Sequence, residues 1–285
     1  MQRRAADAAI PFPSIRKSIR PGMSIKLASW NVNSIKMRQN HVINWLDDCR
    51  ADVLFLQELK TETFPEDAFR DTDYAILAKG QKGRNGVAIL LKKTLFEKTE
   101  LVADTLEGDS DDQEARYQEI KLNTLTLINI YLPNGNPVNT EKYEYKIKWM
   151  ERLFKRMKAL RLQSVPFLIG GDFNVIPEDK DCHDPKAWDG DALFRHETRK
   201  AFRKMTYLGL YDAYRIKDNR PGAFTFWDYQ GGAWQKDNGI RIDHFLLSPE
   251  MADAVISCRI DKDPRNLEKP SDHTPIILEV DRMFF

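Results

Sequence analysis

Long apolar runs are missing from this chain. None approaches the ~20 residues that a bilayer-spanning helix needs, which excludes a helical membrane protein. Cysteine is scarce: Cys49, Cys182 and Cys258 are far apart and odd in number, so a disulfide framework is not expected and a reducing compartment fits better. Excess charge is also lacking, with 44 basic and 43 acidic side chains. Residues 1–22 hold Arg3, Arg4, Arg16, Lys17 and Arg20 against Asp7, a net +4, which leaves about −3 of the total +1 for the remainder. Such a body cannot attract polyanions in bulk, so any nucleic-acid site must be a local patch of cations. The same leader has no apolar stretch of the secretory kind. It reads as a disordered basic extension or a misplaced start ahead of Met23, leaving residues 23–285 as a single domain in a cytoplasmic setting.

What the sequence has in quantity is short β-type runs. From residue 25 onward come IKLASWN, DVLFLQE, YAILA, GVAILLKK, YQEIKL, TLTLINIYL, PFLIGGDFN, IDHFLLS and TPIILEV. Several are continuously apolar, as strands buried on both faces must be. Residues 141–161 have helical period, with Ile147, Met150, Leu153, Met157 and Leu160 on one stripe, and residues 35–48 and 193–207 show weaker versions. Runs 117–122 and 125–131 are joined by a turn too short for a crossover and must pair antiparallel. Other strands are separated by helices. The expected class is therefore α/β, a layered sandwich of mixed sheets covered by helices. The acidic segment 104–114 reads as a solvated loop.

Polar residues gather at the ends of these runs: Asn31 and Asn33, Gln57 and Glu58, Tyr131 and Asn134, Asp172 and Asn174, Asp243, then Asp272 and His273. Strand ends are where layered α/β proteins hold ligands, because the sheet fixes side chains while loops leave the edge open. Singly, each has an ordinary explanation as a cap, turn or solvated side chain. Jointly, Glu58, Asp172 and Asp272 with the amides Asn31 and Asn174 form an all-oxygen ligand set. Without paired Cys/His spacing, such a set selects Mg2+ or, as a substitute, Mn2+ over zinc. A cation, a base for water and a histidine oriented by an acid together point to phosphodiester hydrolysis. Asp243 is the better orienter of His273, since Asp272, adjacent on an extended chain, points the other way.

The motifs LASWNVNS, FLQELK, GRNGVAILLK, NIYLPNG, GDFNVIPEDKD, GAWQKDNGIRIDHFLLS and KPSDHTP, in this order from Ile25 to Val280, resemble the exonuclease III family of apurinic/apyrimidinic endonucleases. The resemblance implies a four-layered α/β sandwich, two mixed β-sheets packed face to face and flanked by helices. It implies a monomeric DNA-repair hydrolase that cuts the phosphodiester 5′ to an abasic site in double-stranded DNA and clears blocked 3′ ends. Asn31 and Glu58 match metal-proximal positions and Tyr131 the tyrosine near the scissile phosphate. Asp172 matches the acid that handles the attacking water, Asn174 its partner, Asp243 and His273 the Asp–His pair, and Asp272 the last acidic ligand.

DNA contacts are expected on loops, with Asn134 among them. Lys79, Lys82 and Arg84 lie among glycines, where cations and backbone can both approach phosphates. Arg116 and Arg241 match basic positions near the bound strand. Phe226, Trp227, Trp234 and Ile240 supply an apolar wall for a base-less sugar; whether Phe226 or Trp227 lines it is open. Two alternatives stand beside this reading. A phosphatase of inositol phosphates, lipids or nucleotides is disfavoured by the basic glycine loop, and a non-catalytic binder by the filled set of acids.

Overall fold

The computed structural model describes residues 24–285; the leader 1–22 and Met23 lie outside the described residues. Twelve strands are found among the described residues: β1 (Ser24–Asn31), β2 (Val53–Gln57), β3 (Tyr74–Lys79), β4 (Val87–Lys92), β5 (Thr99–Ala103), β6 (Tyr117–Leu122), β7 (Leu125–Tyr131), β8 (Phe167–Asp172), β9 (Tyr211–Asp212), β10 (Asp243–Leu247), β11 (Val255–Ile260) and β12 (Ile276–Asp281). The helices are α1 (Ile35–Cys49), α2 (Lys93–Phe96), α3 (Glu141–Leu162), α4 (His196–Thr206), α5 (Ala213–Lys217) and α6 (Pro249–Asp253).

Two six-stranded sheets result, ordered β11-β12-β1-β2-β4-β3 and β5-β6-β7-β8-β10-β9. Each has one parallel pair, β1 with β2 and β7 with β8, and in both the crossover carries a long helix, α1 or α3. The remaining pairs are antiparallel, which makes both sheets mixed. Leu27, Phe55, Ile89, Leu127, Leu168, Phe245 and Leu278 fill the layer between the sheets. Trp30, Leu54 and Leu56 pack outward with Val42 and Leu46 of α1; Ile128 and Ile130 pack outward with Met150 and Leu153 of α3 and Phe202 of α4. The strands are thus buried on both faces, which is why they read as continuous apolar runs. At about 1.5–3 kcal/mol for each fully buried large side chain, these layers dominate the stability.

A polar staple crosses the inter-sheet layer. Gln57 donates to Asn129 Oδ1 (2.8 Å) and Ser29 Oγ (3.0 Å), while Asn129 donates to the carbonyls of Leu56 and Ala88 (3.1 and 2.9 Å). It fixes the two parallel pairs relative to each other.

Three sequence expectations are corrected. The segment 104–114 is not simply solvated: Asp112, 6% exposed at its side chain, pairs with Arg152 (2.6 Å) and accepts from Tyr145 (3.0 Å). In α3 Lys146, four residues before Met150, is among the fully buried positions, whereas Ile147 is half-buried. The helix expected at 193–207 begins at His196, because Leu193 packs into a separate cluster with Ile240 and Ile242. Among the described residues no helix is long and apolar enough to cross a membrane.

Candidate active site

Parallel strands place their carboxyl ends at one edge, and here both sheets do so together. Asn31 ends β1 opposite Gln57, the last residue of β2, and Glu58 follows. Tyr131 ends β7 opposite Asp172, which ends β8, and Asp172 in turn faces Asp243, the first residue of β10. The turn before β12 supplies Asp272 and His273. The glycines before Asp172 permit this convergence: a Cβ on Gly170 would stand 2.3 Å from the Phe245 ring, and one on Gly171 2.0 Å from the Ile130 carbonyl oxygen.

Hydrogen bonds join the groups across the sheets. Asn31 Nδ2 donates to Glu58 Oε2 and to Asp172 Oδ2, both at 2.9 Å. Asn33 Nδ2 donates to Asp272 Oδ1 (3.0 Å), and Asn33 Oδ1 accepts from Lys60 Nζ (2.6 Å), which also pairs with Glu58 Oε1 (2.8 Å). Glu58, Lys60, Asn33 and Asp272 therefore form one chain. On the other side His273 Nδ1 meets Asp243 Oδ2 at 2.9 Å, and its Nε2 lies 3.8 Å from Asp172 Oδ2. Asp172 Oδ1 accepts from the Asn174 backbone N–H at 2.8 Å. The Asn174 amide is engaged at both ends, donating to the Leu132 carbonyl (2.9 Å) and accepting from Asn134 Nδ2 (3.0 Å). Behind them Lys146 Nζ donates to the carbonyls of Asn134 (2.9 Å) and Asn174 (2.6 Å), tying the two loops together.

The electrostatics follow from this crowding. Burial pushes Asp172 up to about 7, with Asp243 adding to the rise against the His273 charge. For His273 burial opposes the charged form, but Asp243 and then Asp172 prevail and raise it to about 10. For Glu58, too, burial works upward, and Lys60 and Asn31 overcome it to hold the carboxyl below the ordinary range. Burial, then Glu58 and Asp172, drive the Tyr131 hydroxyl well above its usual value. Asn33, Glu58 and Asn174 adopt left-handed backbone (φ 44°, 59° and 47°), a strain of order 1–3 kcal/mol at each that the surrounding bonds must overcome.

Asp172, Asp243 and His273 offer ligand atoms within 4.8 Å of one another. Both carboxylates there also face the imidazole, a geometry suited to acid–base work beside its fit to a cation. Oxygen donors gather at Glu58 as well, where the Lys60 ammonium rests between a carboxylate oxygen and an amide oxygen. Hard oxygen donors at that point fit a divalent cation. The expected ligands Asn31 and Asn174 each spend the amide nitrogen on protein acceptors, and each amide oxygen accepts one protein N–H.

The expected DNA contacts divide. Lys82 is exposed, Lys79 Nζ caps the Asp104 carbonyl at 2.7 Å, and Arg84 pairs with Glu114 at 2.7 Å with two-thirds of its side chain open. Arg116 lies over the Tyr131 ring at 4.8 Å, and Asn134 is exposed. Arg241 is a correction: it is 1% exposed and locked between Asp181 and Asp212 (2.7 Å each), a structural arginine out of reach of DNA. Trp227 is likewise corrected, being fully buried with Phe224 and Ala233, so Phe226 is the ring at the site, its centroid 5.0 Å from that of His273. Ile240 is fully buried behind Phe226, and Trp234 stands edge-on to Trp227 at 4.8 Å, away from that wall. Sequence reasoning missed Lys60 and Lys146. A lysine two residues past Glu58 had no periodic mark, whereas Lys146 interrupted an apolar stripe and could have been noticed.

Known proteins share this arrangement of chain. The model described as the Endonuclease/Exonuclease/phosphatase family matches residues 28–273. Exodeoxyribonuclease III of Haemophilus influenzae is 31% identical over 269 residues, 90% of this chain and 99% of that protein. Among solved structures, the Neisseria 3′ phosphatase NExo bound to a product DNA hairpin superposes with a TM-score of 0.84 at 34% identity, over 90% of this chain and 99% of that one. An AP endonuclease from Archaeoglobus fulgidus superposes with 0.81 at 35% identity, over 89% and 98%.

Proposed function

Because this chain belongs to the endonuclease/exonuclease/phosphatase family, we propose that it is a DNA-repair hydrolase of the exodeoxyribonuclease III and AP endonuclease kind. It cleaves the phosphodiester 5′ to an abasic site in duplex DNA, leaves a 3′-hydroxyl, and clears nucleotides or blocking groups from 3′ ends. The observation that carries this reading is the convergence of Asp172, Asp243 and His273 with Asn31 and Glu58 where both sheets end. Relatives named exodeoxyribonuclease III, 3′ phosphatase and AP endonuclease support it.

Asp172, raised to about 7, is poised near neutrality to take the proton of the attacking water. The Asn174 backbone N–H and Asn31 Nδ2 hold its carboxylate in place. His273, kept cationic by Asp243, faces the developing charge on the phosphoryl oxygens. Tyr131, with its hydroxyl kept protonated, donates a hydrogen bond from the same edge. Phe226 forms the apolar wall that a base-less sugar can meet and a paired nucleotide cannot. Glu58 and Asp272 would hold Mg2+, with Mn2+ as a substitute, and the bound ion supplies Lewis-acid stabilisation of the phosphoryl oxygens. Residues 23–285 act as one catalytic domain, monomeric and cytoplasmic. A duplex with one abasic site tests the reading: a single nick with Mg2+ that disappears with EDTA is expected, and an intact strand under both conditions refutes it.

A further inference from the structure

Beside the Asp272 turn lies a cleft of about 390 Å³ to which the proposed reaction assigns nothing. Its lining includes Tyr229, Trp234, Gln235, Arg265, Asn266 and Leu267. Arg265 is 5% exposed, and among the described residues no carboxylate lies within ion-pair distance of it, Asp272 acting only from farther off. Its guanidinium lies 5.3 Å from the Trp234 ring centroid and 5.7 Å from that of Tyr229. It is fixed from behind by the carbonyls of Ser271 (2.6 Å) and Trp227 (3.3 Å), while Nε has no partner. The cleft is mechanically continuous with the candidate active site: Tyr229 Oη donates to the Pro270 carbonyl (2.9 Å) and accepts from Asn33 (3.3 Å), the residue that holds Asp272.

We propose that this cleft binds one unpaired nucleobase of the substrate strand, that of a nucleotide flanking the scissile phosphate. The inference rests on the DNA hydrolase reading. Arg265 covers one face of the half-exposed Tyr229 ring and of the partly exposed Trp234 ring; the aromatic surface left toward the cleft is of the kind on which any base stacks without regard to sequence. The exposed amides of Gln235 and Asn266 present both donors and acceptors to a base edge. A bare phosphate fits poorly, because Asp228 shares the lining and the arginine is sunk behind the aromatic rings. A purely apolar ligand would leave the amide rim of Gln235 and Asn266 without a partner. The volume suits a base with its sugar, and a duplex base, being stacked and paired, must first leave the helix to enter.

The test crosses protein variants with base removal. Duplexes carrying one abasic site, and duplexes in which the 5′ or the 3′ neighbour is abasic as well, are bound in EDTA to the parent chain and to Trp234→Leu. Leu267→Trp, which fills the cleft from a position 44% exposed, serves should Trp234→Leu fail to fold. A roughly tenfold loss of affinity, within the range for one stacked base, is expected on the single-lesion duplex. It should vanish when one of the two neighbours lacks its base. Equal losses on all duplexes, or none on any, would overturn the proposal. Magnesium-dependent nicking by the parent is scored in parallel. Nicking without base-dependent coupling sinks the cleft alone, while base-dependent binding without nicking sinks the hydrolase reading and leaves the cleft standing.

Discussion

Asp243→Asn separates the two services that an acid can give a histidine. In the parent, His273 Nδ1 lies 2.9 Å from Asp243 Oδ2, both fully or almost fully buried. A hydrogen bond to a charged group contributes about 1.5–3 kcal/mol and a neutral one about 0.5–1.5, so the amide forfeits roughly 1–2 kcal/mol even if it keeps the geometry. The larger effect is on charge. Burial disfavours the imidazolium, and Asp243 leads the groups that overcome it and raise His273 to about 10. If the pKa fell back to its ordinary value near 6.5, only about 3% of the molecules would carry the cation at pH 8, against about three-quarters at pH 6. Turnover should therefore drop up to about thirtyfold at pH 8 and by little at pH 6, with Asp172, still 3.8 Å away, moderating the loss. Stability should change in the same sense. A histidine whose folded pKa exceeds its unfolded one contributes stability that is complete below about pH 6.5 and disappears as the pH rises through about 10. Urea unfolding of the parent should show that decline between pH 6.5 and 10, and the variant should show less of it. A turnover defect of equal size at pH 6 and pH 8 would refute the charge argument and leave Asp243 as an orienting group only.

Other outcomes follow from the same geometry. Asp172→Asn should abolish nicking while abasic duplex still shifts in a gel, since an amide cannot take the proton of water; undiminished turnover would remove Asp172 as the base. Glu58→Ala should raise the Mg2+ concentration for half-maximal activity by roughly tenfold or more, as even outer partners of a metal cost that much; an unchanged titration curve would reject Glu58 as a ligand. Arg241→Ala should leave the salt dependence of DNA binding unchanged but cost about 3–5 kcal/mol in urea unfolding, because Asp181 and Asp212 lose a buried partner. A flatter salt dependence would restore Arg241 to the DNA surface. Lys146→Met strands two carbonyls at about 1–3 kcal/mol each, partly offset by relief from burying an ammonium. Its kcat should fall more than its melting temperature suggests, and Lys146→Arg should recover part of the loss.

The layers, and the gathering of polar groups at one edge, were legible because they depend on local pattern. Continuous apolar strands marked two-sided burial, and polar residues closing them, from Asn31 to His273, marked the functional edge. Arg241, placed near DNA by the resemblance, and Trp227, one of two rings left open for the wall, are both buried: a charged or aromatic residue near loop glycines has the same sequence signature whether it faces solvent or a buried partner. Asp181, sixty residues upstream, decides the fate of Arg241, and no period in the chain connects the two. The same limit applies to the residues that hold the site in shape. Asn33, Glu58 and Asn174 sit in left-handed backbone that nothing in their neighbours announces. Lys60, itself in left-handed backbone, meets both Glu58 and Asn33. Which groups gather at this edge is thus written in residue type and strand position, whereas their orientation is set by contacts between distant segments. The chemistry is exposed to single substitutions at both levels, and a change at Lys146 or Asn33 should damage turnover without touching an atom of the scissile phosphate.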